Sequence, residues 1–386
     1  VNANINGTGL TGNDPVYQVN MAAAGTDLAV FFQILENDAL VAQIRALNSR
    51  AFRVNALIES SSESGSLTIT GLDAELLDAS ISGDISATNL QSEAPIVSGT
   101  INAFGPDLPT LLEVAGQLQG SNSELARYGR ELQQSPDQSF VVNTNFDADF
   151  STGAIEIPAL ELRALGTTIS GAVSAGNLNT DAPVFNGRLN ASGPDLPLLL
   201  QVIGQISEGR DSTLNTYGRQ LRSVSNKSFA IDAPFDVNMA TGSIDLSNID
   251  ANFLGFTLTG NVQGNDFQSS TGSLDGQINI SGRNLGQILT AFDQSDLAEV
   301  IESLEFEAGL SGSRNNMAIS PMTLDLVLSG PDIPNSPVTL ALNADSTVNL
   351  DTESLTARNV SLTGLGVNLD GTLTLNDYGS DMNYSG

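Results

Sequence analysis

Two pairs of carboxylates are the first feature of this sequence that could do chemistry. Asp147 and Asp149 form one pair, and Asp232 and Asp236 form another in a matching stretch. Such pairs could act as a general acid and base, or they could bind a hard cation. Polar residues fill every alternate position of both stretches, so we interpret the pairs as part of a hydrated strand face.

The tripeptide Tyr-Gly-Arg occurs twice and offers a second candidate site. Arg130 and Arg219 end the two copies and could contact an anionic head group, because guanidinium groups bind phosphate and carboxylate oxygens. Tyr128 and Tyr217 lie in amphipathic stretches. We therefore favour a structural interpretation, in which the tyrosines pack and the arginines are cations near a helix end.

The composition removes most catalytic chemistry. The 386 residues include no His, no Cys and no Trp. The commonest general base, the thiol nucleophile and the usual transition-metal ligands are therefore missing, and a Ser-His-Asp triad cannot be built. The Gly-Pro-Asp segments at 105–107 and 193–195 lack the spacing and the Lys-Ser/Thr of a phosphate-binding loop. We predict that the protein is not an enzyme and has no cofactor and no metal site.

The charge excludes one class of partner. The formal net charge is −30, from 44 acidic and 14 basic residues. This field repels phosphates, and the sequence has no stripe of Lys and Arg, so we predict that the protein does not bind nucleic acid. The sequence also has no run of 18 apolar residues and no signal peptide. Because it opens and stops within a pattern, we expect a piece of a longer protein.

A strand-to-helix joint recurs four times, as GTDLAVFFQIL, GPDLPTLLEVA, GPDLPLLLQVI and GRNLGQILTAF, with its leucine every 80 to 89 residues. Apolar residues follow that leucine at offsets of 3, 4 and 7, which is typical of one face of an α-helix. The residue before the leucine suits N-capping. These residues are Asp27, Asp107, Asp195 and Asn284.

Alternating segments surround each joint and predict antiparallel strands with one apolar face. A second short helix is also expected after the later joints; in the fourth copy it would carry Leu297, Val300 and Leu304 on one face. We predict a mainly β fold with short helices (α+β), an elongated and curved antiparallel β-sheet of about four repeats. Each repeat has roughly four strands plus a short helical pair. The predicted repeats are 1–91, 92–179, 180–269 and 270–386, the last with degenerate C-terminal strands.

A sheet with one apolar face must cover that face. It could close on itself, pack against another sheet, or leave an apolar groove that the helices cover in part. Gly99, Gly187 and Gly276 lie in phase with apolar strand residues. They indicate a close backbone approach, a bulge or a bend.

The meanders that follow the joints carry a family resemblance. The segments GLDAELLDASISGDISA (71–87), ALELRALGTTISGAVSA (159–175) and SLTGLGVNLDGTLTL (361–375) resemble the periplasmic part of AsmA-like proteins, relatives of TamB and of the bridge-like lipid transfer proteins. The resemblance spans most of the chain. It implies a curved sheet with a hydrophobic groove for phospholipid, an inner-membrane anchor upstream of Val1, and inner- and outer-membrane or envelope proteins as partners.

The resemblance also implies which residues matter. The strand phases would place nine residues on the groove or core side, as lipid-contact or core candidates: Ile101, Phe140, Phe146, Phe150, Leu189, Phe229, Phe235, Met239 and Ile278. The helical pairs are long for a simple β-groove, so they could plug or cap the sheet.

Two functions follow from these patterns. We expect a non-enzymatic periplasmic segment that shields phospholipid acyl chains along the apolar sheet face during transport between the inner and outer membranes, in outer-membrane biogenesis. The alternative is a structural or adhesive extracellular β-repeat protein at the cell surface, with a solid core and with stability that rises with Ca²⁺ or salt.

Overall fold

The structure is a computed structural model that describes residues 2–8, 16–34, 38–47, 49–119, 123–133, 135–207, 213–267, 269, 271–283, 285–313, 315–376 and 383–385. It divides into two compact units, Val1–Thr180 and Asp181–Gly386. The division falls beside the boundary predicted between the second and third repeats. The two units are described one at a time below.

Unit 1 is an antiparallel meander in which each described strand pairs with its neighbours in sequence. Two helical pairs interrupt the meander. The strands are β1 (Asn2–Thr8), β2 (Val16–Gly25), β3 (Phe52–Ser61), β4 (Ser66–Leu76), β5 (Ala79–Thr88), β6 (Ile96–Gly105), β7 (Phe140–Asp149), β8 (Ala154–Ala164) and β9 (Thr167–Gly176). The helices are α1 (Leu28–Ile34), α2 (Asp38–Arg45), α3 (Leu108–Gln119) and α4 (Glu124–Leu132).

Unit 2 repeats this plan and extends it with further strands. Its strands are β10 (Val184–Gly193), β11 (Phe229–Asn238), β12 (Ser243–Phe253), β13 (Phe256–Asn265), β14 (Ser273–Arg283), β15 (Ile301–Ser313), β16 (Asn316–Leu328), β17 (Val338–Asn349), β18 (Ser354–Gly364), β19 (Val367–Asn376) and β20 (Asn383–Ser385). Its helices are α5 (Leu196–Ser207), α6 (Thr213–Gln220), α7 (Gly286–Ala291) and α8 (Ser295–Ala298), with a 3-10 helix at Leu221–Ser223 after α6.

The order strand, helical pair and three further strands recurs along the chain. It runs from β2 to β5 and from β6 to β9 in unit 1, and from β10 to β13 and from β14 to β17 in unit 2. The predicted fold class, mainly antiparallel β with a short helical pair in each repeat, is confirmed. A further Gly-Pro-Asp segment, at 330–332, leads into turns and then β17 and not into a helix.

An aspartate begins the first helix of each of the first three repeats. The Oδ1 atom of Asp27 accepts a hydrogen bond from the backbone N of Ala29 at 3.0 Å. Asp107 and Asp195 accept from the backbone N of the third residue after them at 2.9 Å. Each carboxylate satisfies a donor that has no partner within the helix, so the predicted N-caps are confirmed. Asn284 lies outside the described residues.

The helices cover one end of each sheet through buried clusters. In unit 1, Leu108 and Leu111 of α3 pack on Ala79, Ala103 and Phe140 of the strands. The α1–α2 pair forms a second cluster with Leu77 and with Val114 of α3. In unit 2, Leu196 and Leu200 of α5 join the cluster around Leu221 and Leu254. Burying a large apolar side chain contributes about 1.5–3 kcal/mol, so these contacts hold the helices on the sheet.

A bulge recurs in five strands, each time with one extra residue. In β8 the register passes from Ile157 to Leu160 while the partner β9 advances from Gly171 to Val173. The same shift occurs in β4, β12, β16 and β18. The extra residue lets apolar residues three apart face the same side and increases the twist of the strand.

The second helix of the fourth repeat forms but is shorter than predicted, and it does not carry Val300 and Leu304. The helix α8 ends at Ala298, Val300 lies in a turn, and Leu304 belongs to β15, paired with Gly282 of β14. The residues from Ile301 onward alternate in polarity as well as fitting a helical stripe. These residues form the strand β15 because they pair with β14, which needs a neighbouring strand along that edge.

Gly99 and Gly276 mark a close backbone approach, as predicted. A Cβ on Gly99 would lie 2.5 Å from the carbonyl oxygen of Asp84, and one on Gly276 would lie 2.4 Å from that of Asn261. Gly187 pairs with Phe235 in an unbroken register. The bulges lie in other strands.

We expect Gly105→Ala to destabilise unit 1 by about 1–3 kcal/mol. A Cβ on Gly105 would lie 2.7 Å from Cε1 of Phe140 and 2.9 Å from Cβ of Ala79, inside a buried cluster. Gly176→Ala is the matched control, because a Cβ there meets no atom within 4 Å. Urea unfolding followed by circular dichroism measures both variants. Equal stability of the two would contradict the close packing at Gly105.

We expect Asp149 to make part of the stability depend on pH. Hydrogen bonds from the hydroxyl and backbone N of Ser151 (2.5 and 2.8 Å) lower the pKa of Asp149 at the turn after β7. This contribution is therefore present above the pKa of the unfolded chain and is lost as pH falls through the lowered, folded-state pKa. Asp149→Asn keeps an acceptor, like Asn238 and Asn349 at the corresponding turns, but does not titrate.

The measurement is the difference in unfolding free energy between the wild type and Asp149→Asn, from neutral pH to acid. The advantage of the wild type should shrink as the pH falls. Asp147→Asn makes the same charge change in the same strand and serves as the control. An identical pH response in both variants would contradict the role of the Asp149 turn.

Candidate apolar binding face

One face of each sheet collects the apolar side chains. Residues that pair directly in an antiparallel ladder point to the same side, so the register assigns each residue to a face. In unit 1, Val142 of β7 pairs with Ala103 of β6 and Leu162 of β8, and Leu162 pairs with Ile169 of β9. We call this side the apolar face of unit 1. The same reasoning defines the apolar face of unit 2, where Phe235 pairs with Gly187 and Leu189 with Ala233.

The register places three of the four candidates of unit 1 on its apolar face. Ile101 pairs with Thr144, Phe140 with Gly105, and Phe146 with Gly99. The fourth candidate, Phe150, follows the last residue of β7 and lies in the turn, where 48% of its surface is exposed. Phe150 therefore does not extend the face.

Four of the five candidates of unit 2 lie on its apolar face. Leu189 and Phe235 come from β10 and β11, Phe229 begins β11, and Ile278 lies in β14 opposite Gly260. Met239 follows the last residue of β11 and lies in a turn. Strand alternation marks which side of a strand a residue faces, but it does not show where each strand ends.

On the apolar faces of both units, phenylalanines pair with glycines of the neighbouring strand. Phe140 pairs with Gly105, and the ring leaves no room there for a Cβ. Phe229 and Phe235 also pair with glycines, Gly193 and Gly187. A ring opposite a glycine lies against the neighbouring backbone, because no side chain stands in its way.

Burial divides each apolar face into two zones. Phe140 and Phe229 are only 4% exposed, and Phe140 packs under α3. The other strand candidates are half-buried and lie outside the three buried clusters formed by the described residues. They are Ile101, Phe146, Leu189, Phe235 and Ile278. The helices thus cover one end of the strands and leave the remaining part of the face in contact with solvent.

Unit 2 contains an apolar cavity that the sequence did not predict. Its volume is about 550 Å³, and it lies between the helices and strands β12 to β14. Its lining residues are Leu196, Leu200, Tyr217, Leu221, Phe253, Leu254, Phe256, Ile280, Ile288 and Phe292. Tyr217 and Phe292 meet edge to face, with ring centroids 6.0 Å apart. Helical periodicity marks several of these residues as core, but it gives no sign that space remains between them.

One carboxylate of each pair on the polar face has a structural partner. Arg188 donates to both oxygens of Asp232 across the β10–β11 pair, with Nε 2.7 Å from Oδ1, and so holds the pKa of Asp232 below its usual range. Asp149 is part of its turn. In the part of the chain that the structure describes, no group of three or more Asp or Glu side chains could hold a metal ion.

The two tyrosines of the repeated Tyr-Gly-Arg motif have different surroundings. Tyr128 is half-buried, and the guanidinium carbon of Arg127 lies 4.9 Å from the centre of its ring. Arg130 lies in the last turn of α4 and is exposed, as the structural interpretation predicts. Tyr217 lines the cavity instead, and Arg219 in the last turn of α6 donates to the hydroxyl of Thr216 at 3.2 Å.

The helices are short throughout. Among the described residues, none forms a helix that is both long and apolar enough to cross a membrane. Comparison with protein-family models, with curated proteins and with solved structures gives no match to this chain.

Proposed function

We propose that the apolar faces of the two units shield phospholipid acyl chains from water during transport between the inner and outer membranes, as the periplasmic segment of an AsmA-like envelope protein. The protein would act without catalysis. Its other partners would be membrane or envelope proteins at the two ends of the transport route.

One observation carries this proposal: large apolar side chains remain half-buried on the part of each face that no buried cluster includes. Phe146 and Ile101 in unit 1, and Leu189, Phe235 and Ile278 in unit 2, occupy such positions. Large apolar side chains that keep part of their surface in water on one face of a sheet offer a surface on which an apolar ligand can bind.

The energetics fit a hydrocarbon ligand. Each methylene group that leaves water contributes about 0.8 kcal/mol, and this contribution has no directional requirement. Phenyl rings that lie opposite glycines offer broad apolar surfaces to an extended chain. A face built in this way selects for the chain and only weakly for the head group, because it presents few hydrogen-bonding groups.

We expect Phe146→Glu to reduce the amount of phospholipid that copurifies with the protein by about tenfold or more, because a charge on the face must be desolvated when a chain binds. Asn145→Glu adds the same charge to the exposed, polar face of the same strand and should leave the amount unchanged. Phe235→Glu makes the corresponding test in unit 2. The measurement is native mass spectrometry of gently purified protein, followed by lipid extraction.

Circular dichroism and urea unfolding must show that each variant is folded. A wild-type protein that carries no phospholipid and whose stability rises strongly with Ca²⁺ or salt would contradict the proposal. That outcome would favour a structural or adhesive extracellular repeat protein. Equal phospholipid content in Phe146→Glu and Asn145→Glu would place any bound lipid elsewhere than on the apolar face.

A further inference from the structure

The apolar cavity of unit 2 results from a shortened helical pair. The helix α7 has six residues and α8 has four, and neither contributes a buried residue within its span. By contrast, α5 of the preceding repeat has 12 residues. Ile288 of α7, and Phe292 directly after α7, therefore line only one side of the cavity over β12 to β14.

The corresponding junction in unit 1 carries a large buried cluster. There α1 and α2 contribute Leu28, Phe32, Leu40 and Ile44, and Val114 of the following helix α3 joins them. Leu40 and Ile44 have no exposed surface. In unit 2, by contrast, neither α7 nor α8 contributes a buried residue within its span.

The lining of the cavity restricts its ligand. Every lining side chain is aliphatic or aromatic, and the hydroxyl of Tyr217 is the one polar side-chain group among them. The volume of about 550 Å³ lies within the range of small-molecule sites. Apart from that hydroxyl, the lining offers a polar ligand no side-chain group to recognise. An unbranched hydrocarbon chain needs no such group.

The segment that supplies Tyr217 and Leu221 is locally basic. From residue 212 to residue 231 the sequence has no acidic residue, yet it contains Arg219, Arg222 and Lys227, in a chain of net charge −30. Arg222 donates to Oε1 of Gln201 on α5 at 2.5 Å, which ties this segment to the helix that forms another wall. A negatively charged head group would therefore be favoured beside the cavity.

We propose that this cavity binds the hydrocarbon chain of a long-chain fatty acid, with its carboxylate on the side of Arg219 and Arg222. The inference rests on the proposed function because Phe253, Phe256 and Ile280, which form the strand side of the cavity, belong to the apolar face of unit 2. The cavity would add a discrete site for one hydrocarbon chain to an apolar face that is otherwise open to solvent.

The test uses the full chain and palmitic acid that carries a diazirine at its methyl end. After irradiation, mass spectrometry of peptides locates the label. We expect labels on peptides that contain the lining residues. Ile288→Trp should fill the cavity and lower this labelling about tenfold, because fewer methylene groups can be buried. Leu297→Trp, at a 46% exposed position of α8 outside the lining, is the matched control and should label like the wild type.

A competition experiment tests where the carboxylate of the fatty acid lies. Palmitic acid should compete for the labelled site about three- to fivefold better than the neutral alcohol of the same length, as expected for an exposed ion pair. Equal competition would overturn the assignment of the carboxylate to the arginine side.

The outcomes separate the cavity from the open face. Labels confined to strand peptides around Phe146 and Phe235 would overturn the cavity site and leave the shielding proposal standing. Labels at the cavity that Ile288→Trp does not reduce, or no labels at all, would also overturn the cavity site. Lipid extraction from Phe146→Glu decides the shielding proposal separately, because Phe146 lies in unit 1 and not in the cavity lining.

Discussion

A sheet that is apolar on one side must remove that side from water, and both units are organised around this requirement. In the first three repeats the helix that follows the first strand packs on this side, and an aspartate fixes where that helix begins. The helical pairs are too short to cover whole strands, however. They bury the strand ends marked by Phe140 and Phe229 and leave Phe146 and Phe235 half-buried. Partial covering therefore produces both a stable fold and a surface that can accept apolar ligands.

The sequence could predict what depends on neighbouring residues in the chain. Alternation identified the strands and their apolar side, and the spacing after each capping residue identified the first helices. Leu304 shows where this approach fails, because its segment fits a helical stripe and an alternating strand equally well. The pairing of Leu304 with Gly282 of β14 decides the outcome, and that pairing is distant in sequence. The cavity was hidden for a similar reason, because it depends on how far α7 reaches towards α5.

The ion pairs between strands lie on the polar face of each sheet. Ion pairs such as Arg188 with Asp232, and Arg53 with Asp73 and Glu75, lie across neighbouring strands on the polar side and are partly exposed. Exposed pairs of this kind contribute only about 0–1 kcal/mol each, so they align strands more than they stabilise them. The large acidic excess has a wider effect, because mutual repulsion between molecules opposes association through their apolar faces.

The meander order has a consequence for how each unit forms. Strands pair with neighbours in sequence, and the longest connections, such as the one from β6 to β7, are occupied by a helical pair. A helix shortens the distance that a connection must span and orders its residues early, so the entropy lost on closing the loop is reduced. Contacts that are local in sequence favour rapid folding. Each repeat can therefore assemble as the chain is delivered, before the residues that follow it are available.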